Sequence, residues 1–110
     1  MRIGIPMTER ALCMHFGHCS TFALVDVDNN EVTSVKEVVP PPHQPGLLPP
    51  WLAQQGVTLV IAGGMGSRAQ DIFFNNGIQV VTGASGTGAE EIVRAYLAGN
   101  LQTGANACDH

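Results

Sequence analysis

The stretch Val57–Ala62 reads Val-Thr-Leu-Val-Ile-Ala and has no polar face. Side chains alternate between the two faces of a strand, so a run this uniformly apolar has to be buried on both. A parallel sheet covered by helices meets that condition, and the neighbouring residues agree with it. Gly63-Gly64-Met65-Gly66 turns out of the strand, Ser67–Asn76 reads as a helix closed by Gly77, and Ile78–Val81 is another short strand. The last helix is the most regular element. Ala89, Ile92, Val93, Tyr96 and Leu97 recur at i, i+3, i+4, i+7 and i+8, and Gly99 stands at its end. Glu90 and Arg94 lie one turn apart on its outer side.

The first third is of a different kind. Arg2–Pro6 is a short apolar strand, and Phe22–Asp28 pairs with Glu31–Val39 through the turn residues Asp28-Asn29-Asn30 as an antiparallel hairpin. Pro40-Pro41-Pro42-His43-Gln44-Pro45-Gly46 is a polyproline-like connector that cannot be helical. Pro49 and Pro50 suit a helix first turn, continued by Trp51–Gln55 and stopped by Gly56. An antiparallel β-meander followed by αβαβα predicts an α/β fold, with helices packed on a mixed five-stranded sheet. With 110 residues there is room for one such unit, so a single domain over 1–110 is expected.

Only 13% of the residues are charged, against roughly 25% in an ordinary domain. Hydrophobic residues reach 45%, with 13 Gly and 7 Pro, which excludes a disordered chain. No apolar run approaches the roughly 18 residues of a membrane-spanning helix. The cations Arg2, Arg10, Lys36, Arg68 and Arg94 are scattered within a net charge of −4, so no basic stripe awaits nucleic acid. The N-terminus lacks a secretory h-region, and the 3 Cys form no disulfide pattern. Reduced thiols in a cytoplasmic protein are expected.

The densest chemistry is Cys13-x-His15-Phe16-Gly17-His18-Cys19, a loop between two strands. Thiolates and imidazoles in such proximity favour Zn, Cu(I) or iron–sulfur species over Mg or Ca. Gly17 permits a tight fold, although adjacent His18 and Cys19 can hardly both bind one ion in regular backbone. Cys108-Asp109-His110 adds another thiol and imidazole that could close over the site. A free Cys can equally be a small core residue, and a loop His a hydrogen-bonding turn residue.

Two Gly-rich strand-to-helix turns, Gly63–Ala69 and Gly83–Gly88, fall at the C-terminal ends of neighbouring parallel strands, where open sheets bind ligands. Gly64, Met65, Gly66 and Ser67 bring backbone to a helix start that attracts an anion, and Arg68 supplies counter-charge. Tight-turn geometry alone would explain the same glycines. Gly64-x-Gly66-x-x-Ala69 has the form of a dinucleotide fingerprint, but no acidic residue lies between Asp71 and Glu90 to hold a ribose. Asp26, Asp28 and Glu31 read as a solvated hairpin cluster, Met65, Phe73 and Phe74 as core or rim packing, and Trp51 as core cover. No nucleophile–base pair or acid–base carboxylate pair can be assigned, so the protein reads as non-catalytic.

These motifs together resemble the dinitrogenase iron–molybdenum cofactor biosynthesis family. The resemblance runs over essentially the whole chain. It rests on His15-Phe16-Gly17 with Phe22, Gly56-Val57, Gly63-Gly64-Met65-Gly66 with Ala69, and Gly77-Ile78. A subgroup with a Cys-x-His-Phe-Gly-His-Cys loop, a Pro-Pro-Pro-His-x-Pro-Gly connector and a Cys-Asp-His terminus is most similar. The resemblance implies a ribonuclease H-like fold without nuclease activity. It further implies a carrier or scaffold for a molybdenum-containing metal–sulfur cluster, of Mo–Cu sulfide or Fe–Mo–S type, as in the orange protein of sulfate reducers. His15, Phe16, Gly17, Gly64, Met65, Gly66, Ser67 and Arg68 would then contact the cluster. Cys13, His15, His18, Cys19, Cys108 and His110 are the metal-ligand candidates, for the cluster or for a separate Zn, Cu or iron–sulfur centre. Expected partners are the anionic cluster, cluster-assembly proteins or an ATPase, with the chain a monomer or weak homodimer.

Overall fold

The structure, a computed structural model, describes residues 1–8, 11–12, 21–41, 47–84, 86 and 88–101. Its elements follow the expected order: β1 (Arg2–Thr8), β2 (Ala11–Leu12), β3 (Thr21–Asp28), β4 (Glu31–Val38), α1 (Leu48–Gln54), β5 (Val57–Ile61), α2 (Ser67–Asn75), β6 (Gln79–Val81) and α3 (Ala89–Leu97). The sheet runs β4-β3-β1-β5-β6. Strands β1, β5 and β6 are parallel, while β3 and β4 are antiparallel additions. This is the anticipated mixed five-stranded α/β sheet. The two-residue β2, unannounced by any periodicity, joins the end of β1.

Side-chain alternation distributes two cores over the two faces. Ile3, Ile5, Met7, Val25, Leu59 and Ile61 pack with Ile92 and Val93 of α3. Phe22, Leu24 and Val60 pack on the other face with Leu48 and Leu52 of α1 and Phe73 of α2. Strand β5 contributes to both, which is why Leu59, Val60 and Ile61 are all buried. Beside it β1 comes close. A Cβ on Gly4 would stand 3.3 Å from Val57 Cγ1, so the absent side chain lets these strands pack. Phe74 departs from expectation. It is 76% exposed, because one residue beyond Phe73 is about 100° further round the helix.

The glycine stops act through hydrogen bonds. After α2, Gly77 takes φ +78°, its N–H donates to the Phe74 carbonyl at 3.0 Å, and the Ile78 N–H donates to Phe73 at 2.9 Å. Gly99 ends α3 in the same way, its N–H reaching Tyr96 at 3.1 Å and the Asn100 N–H reaching Ala95 at 2.8 Å. Both are Schellman closures, which need a left-handed residue after the helix. The Asn29–Asn30 turn, with φ of +52° and +62°, has the twist that suits a two-residue hairpin. Glu90 and Arg94 form the expected pair at 3.1 Å.

The hairpin carboxylates need one correction. Asp26 is no mere solvated acid: Arg2 Nε donates to its Oδ1 at 2.7 Å and Ser34 Oγ to its Oδ2 at 2.8 Å. Arg2 Nη1 also donates to the Gln55 carbonyl at 2.6 Å, joining β1, β3 and the α1–β5 turn. The Arg2 hydrogen bond, then that from Ser34, holds the Asp26 carboxyl below its ordinary value. Ionised Asp26 therefore stabilises the fold above pH 3.8, and this contribution fades as pH falls below that value. Asp26→Asn should lower the urea midpoint at neutral pH. The difference from wild type should shrink when both are measured well below pH 3.8.

Candidate functional site

Because β1, β5 and β6 run parallel, the chain leaves all of them at one edge of the sheet, and β3 enters there. Residues 62–66 and 82–84 cross that edge. They are stitched together beyond the strands: the Gly83 N–H donates to the Gly63 carbonyl at 2.9 Å, and the Ala84 N–H to the Ala62 carbonyl at 3.2 Å. Met65 is 0% exposed and sits in the core with Ala62 and Phe73. Its carbonyl accepts from Gln70 Nε2 at 2.9 Å. The buried thioether thus anchors the turn from beneath, and Gly63 and Gly64 are buried with it.

Exposure begins at Gly66. This residue is the N-cap of α2, in extended conformation, with no side chain capping the helix. The N–H groups of Ser67, Arg68 and Ala69 lie before the intrahelical ladder begins, and the first turn contains no acidic residue. A Cβ on Gly66 would meet nothing within 4 Å, so space stands open over the backbone. Ser67 and Arg68 are exposed, and Arg68 forms no ion pair among the described residues. Partial positive charge, an exposed guanidinium and open space coincide here, which suits an anion.

The second Gly-rich turn looks alike in sequence and differs in kind. Gly88 caps α3, but Glu90 and Glu91 occupy its first turn. Their carboxylates satisfy the helix dipole and repel an incoming anion. Gly86 is crowded as well: a Cβ there would stand 2.9 Å from Ile92 Cγ1. Of the two helix starts at this edge, only that of α2 has the open space and carboxylate-free first turn that suit an anion.

Residues Cys13, His15, Phe16, Gly17, His18, Cys19, Cys108 and His110 lie outside the described residues, as does 42–46 of the proline connector. The residues bracketing the Cys/His segment are described. Leu12 and Thr21 both pair with Met7, at the end of β1. Since β3 occupies one side of Met7, β2 takes the other, the side on which β5 lies. The Leu12 end of the segment therefore lies on the β5 side of β1 and the Thr21 end on the β3 side. Among the described residues, no group of three or more His, Cys, Asp or Glu is arranged to hold a metal ion. Trp51 is half-buried and meets Phe22 edge-on, ring centroids 6.2 Å apart, as core cover beneath the same edge.

Sequence reading missed the roles of Gln70 and Arg2. Neither carries a local signal, because Gln70 acts on a turn carbonyl and Arg2 on partners brought near only by strand pairing.

Residues 1–99 match the family model described as dinitrogenase iron-molybdenum cofactor. The chain belongs to this family. Among curated relatives it is similar to an uncharacterised protein of Methanocaldococcus jannaschii, MJ0580, at 29% identity, covering 93% of this chain and 90% of the relative. The crystal structure of PH0822 superposes with a TM-score of 0.90 at 31% identity, covering 97% of each chain. The apo orange protein of Desulfovibrio gigas shares the fold, with a TM-score of 0.73 at 21% identity, over 96% of this chain and 93% of that one. Among the described residues of this family member, no helix is long and apolar enough to cross a membrane.

Proposed function

We propose that this protein binds and carries an anionic molybdenum-containing metal–sulfur cluster, of Mo–Cu sulfide or Fe–Mo–S type, and performs no catalysis on it. The cluster is cargo. The observation that carries the reading is the α2 start: uncapped, free of carboxylates, open above Gly66 and flanked by Arg68. Family membership supports a cluster as the anion. In this reading Gly64 and Met65 shape the backbone, while Gly66, Ser67 and Arg68 face the charge. His15, Phe16 and Gly17 complete the contact from the loop based at Leu12 and Thr21. Cys13, His18, Cys19, Cys108 and His110 supply further soft donors for the cluster. The working unit is the single domain 1–110, acting in the cytoplasm and exchanging cargo with cluster-assembly proteins or a partner ATPase.

Anaerobic incubation with tetrathiomolybdate and Cu(I), followed by gel filtration, should yield protein carrying molybdenum and copper with visible charge-transfer absorption. Protein that emerges colourless and free of molybdenum refutes the proposal. The crowding of Cys and His in 13–19 favours a second reading, a Zn, Cu(I) or iron–sulfur site made by Cys13, Cys19 and Cys108 with histidines. Stoichiometric zinc that is lost in Cys13→Ser/Cys19→Ser, without molybdenum uptake by wild type, would select that reading.

A further inference from the structure

Strand β4 ends the sheet, and Thr33 through Glu37 are all exposed. Its pairing with β3 shifts between Asp26↔Ser34 and Val27↔Val32, which makes Thr33 an extra residue in a bulge. The bulge changes which residues share a face. Val32 and Val35 lie opposite Val27 and Val25, on the α3 side, although three positions separate them. Glu31 and Lys36, opposite Asp28 and Leu24, lie on the other side. Backbone direction changes in step. The two-residue turn pairs Asp28 with Glu31 by hydrogen bonds. Alternation through the bulge then leaves the N–H and C=O of Val32 and Val35 pointing outward, away from β3.

From this pattern we infer that β4 pairs with β4 of a second copy, antiparallel about a two-fold axis. One register satisfies all of it. Val32 lies opposite Val35 of the second copy, and their outward backbone groups exchange hydrogen bonds. Glu31 faces Lys36 of the second copy, and Thr33 faces Ser34. The two-fold axis makes each pair twice, so the interface contains two apolar pairs on one face and two opposite-charge pairs on the other. Val35, 46% exposed in the single chain, gains cover. A bulge ordinarily keeps stray strands off an edge by putting them out of step. Here the bulges of the two copies meet each other, so a second copy stays in register where a straight strand does not. Closed two-fold pairing also ends after two chains and does not propagate.

Sedimentation analysis of the full chain, without metal, tests this over rising concentration, with circular dichroism confirming that each variant is folded. Wild type should form a dimer. Lys36→Glu turns both opposite-charge pairs into like-charge pairs and should weaken association about tenfold or more. Glu31→Lys/Lys36→Glu exchanges the charges and should restore wild-type association. Wild type that remains monomeric, a dimer indifferent to Lys36→Glu, or a double variant that does not recover would each overturn the inference.

Discussion

Phe22→Ala is expected to remove a large part of the stability of this fold. The side chain is 0% exposed, is the second residue of β3, and meets Trp51 edge-on in the core with Leu48 and Leu52. Truncating a buried phenylalanine costs about 3–5 kcal/mol, because transfer energy is lost and a cavity remains. A domain of this size has only about 5–15 kcal/mol in total. The urea midpoint should therefore fall steeply while the slope of the transition stays constant, since the surface exposed on unfolding hardly changes. Phe74→Ala is the control. At 76% exposure, that ring should alter stability by about 0.5 kcal/mol or less. Equal losses at the two positions would contradict the assignment of Phe22 to the core.

The largest functional effect is expected from Ser67→Glu/Arg68→Glu. Both positions are exposed in the first turn of α2, which holds no acidic residue in the wild type. Carboxylates there interact favourably with the helix dipole, so the melting temperature should hold or rise slightly. The same charges would stand where an anionic cluster has to approach. Replacing one cation and adding two anions should reduce cluster uptake by tenfold or more, on the order of 1.4 kcal/mol, with the largest loss at low salt. A folded variant that loads tetrathiomolybdate and copper as wild type does would remove α2 from the site. Glu90→Gln/Glu91→Gln should leave uptake at α2 unchanged, because those carboxylates belong to the other turn.

The structural elements were legible because their signals are local. The period-3.6 stripe of α3, the uniform run of β5, the Asn29–Asn30 turn and the stops at Gly77 and Gly99 each depend on residues within a few positions of one another. The same holds for the Gly66 helix start, whose backbone conformation is set by its own turn. The ion pair of Arg2 with Asp26 was not legible. The two are far apart in the chain, and only the β1–β3 register makes them partners. Phe74 was misjudged beside Phe73, since the direction of one apolar residue on a helix depends on where the sheet lies.

The two Gly-rich turns show the division most clearly. Each can be read from sequence as a strand-to-helix turn able to receive an anion at the C-terminal ends of neighbouring parallel strands. Local composition contains that much, including the acids Glu90 and Glu91. Sequence by itself thus determined the α/β order and the two turns, and it contains two cysteines and two histidines within residues 13–19. Tertiary structure decided that the turns are joined at one edge, that Met65 anchors rather than faces a ligand, and that Gly66 lies open while Gly86 is crowded by Ile92. The reason is physical: conformation and charge are properties of a few neighbouring residues, whereas burial and open space depend on what the rest of the chain brings against them.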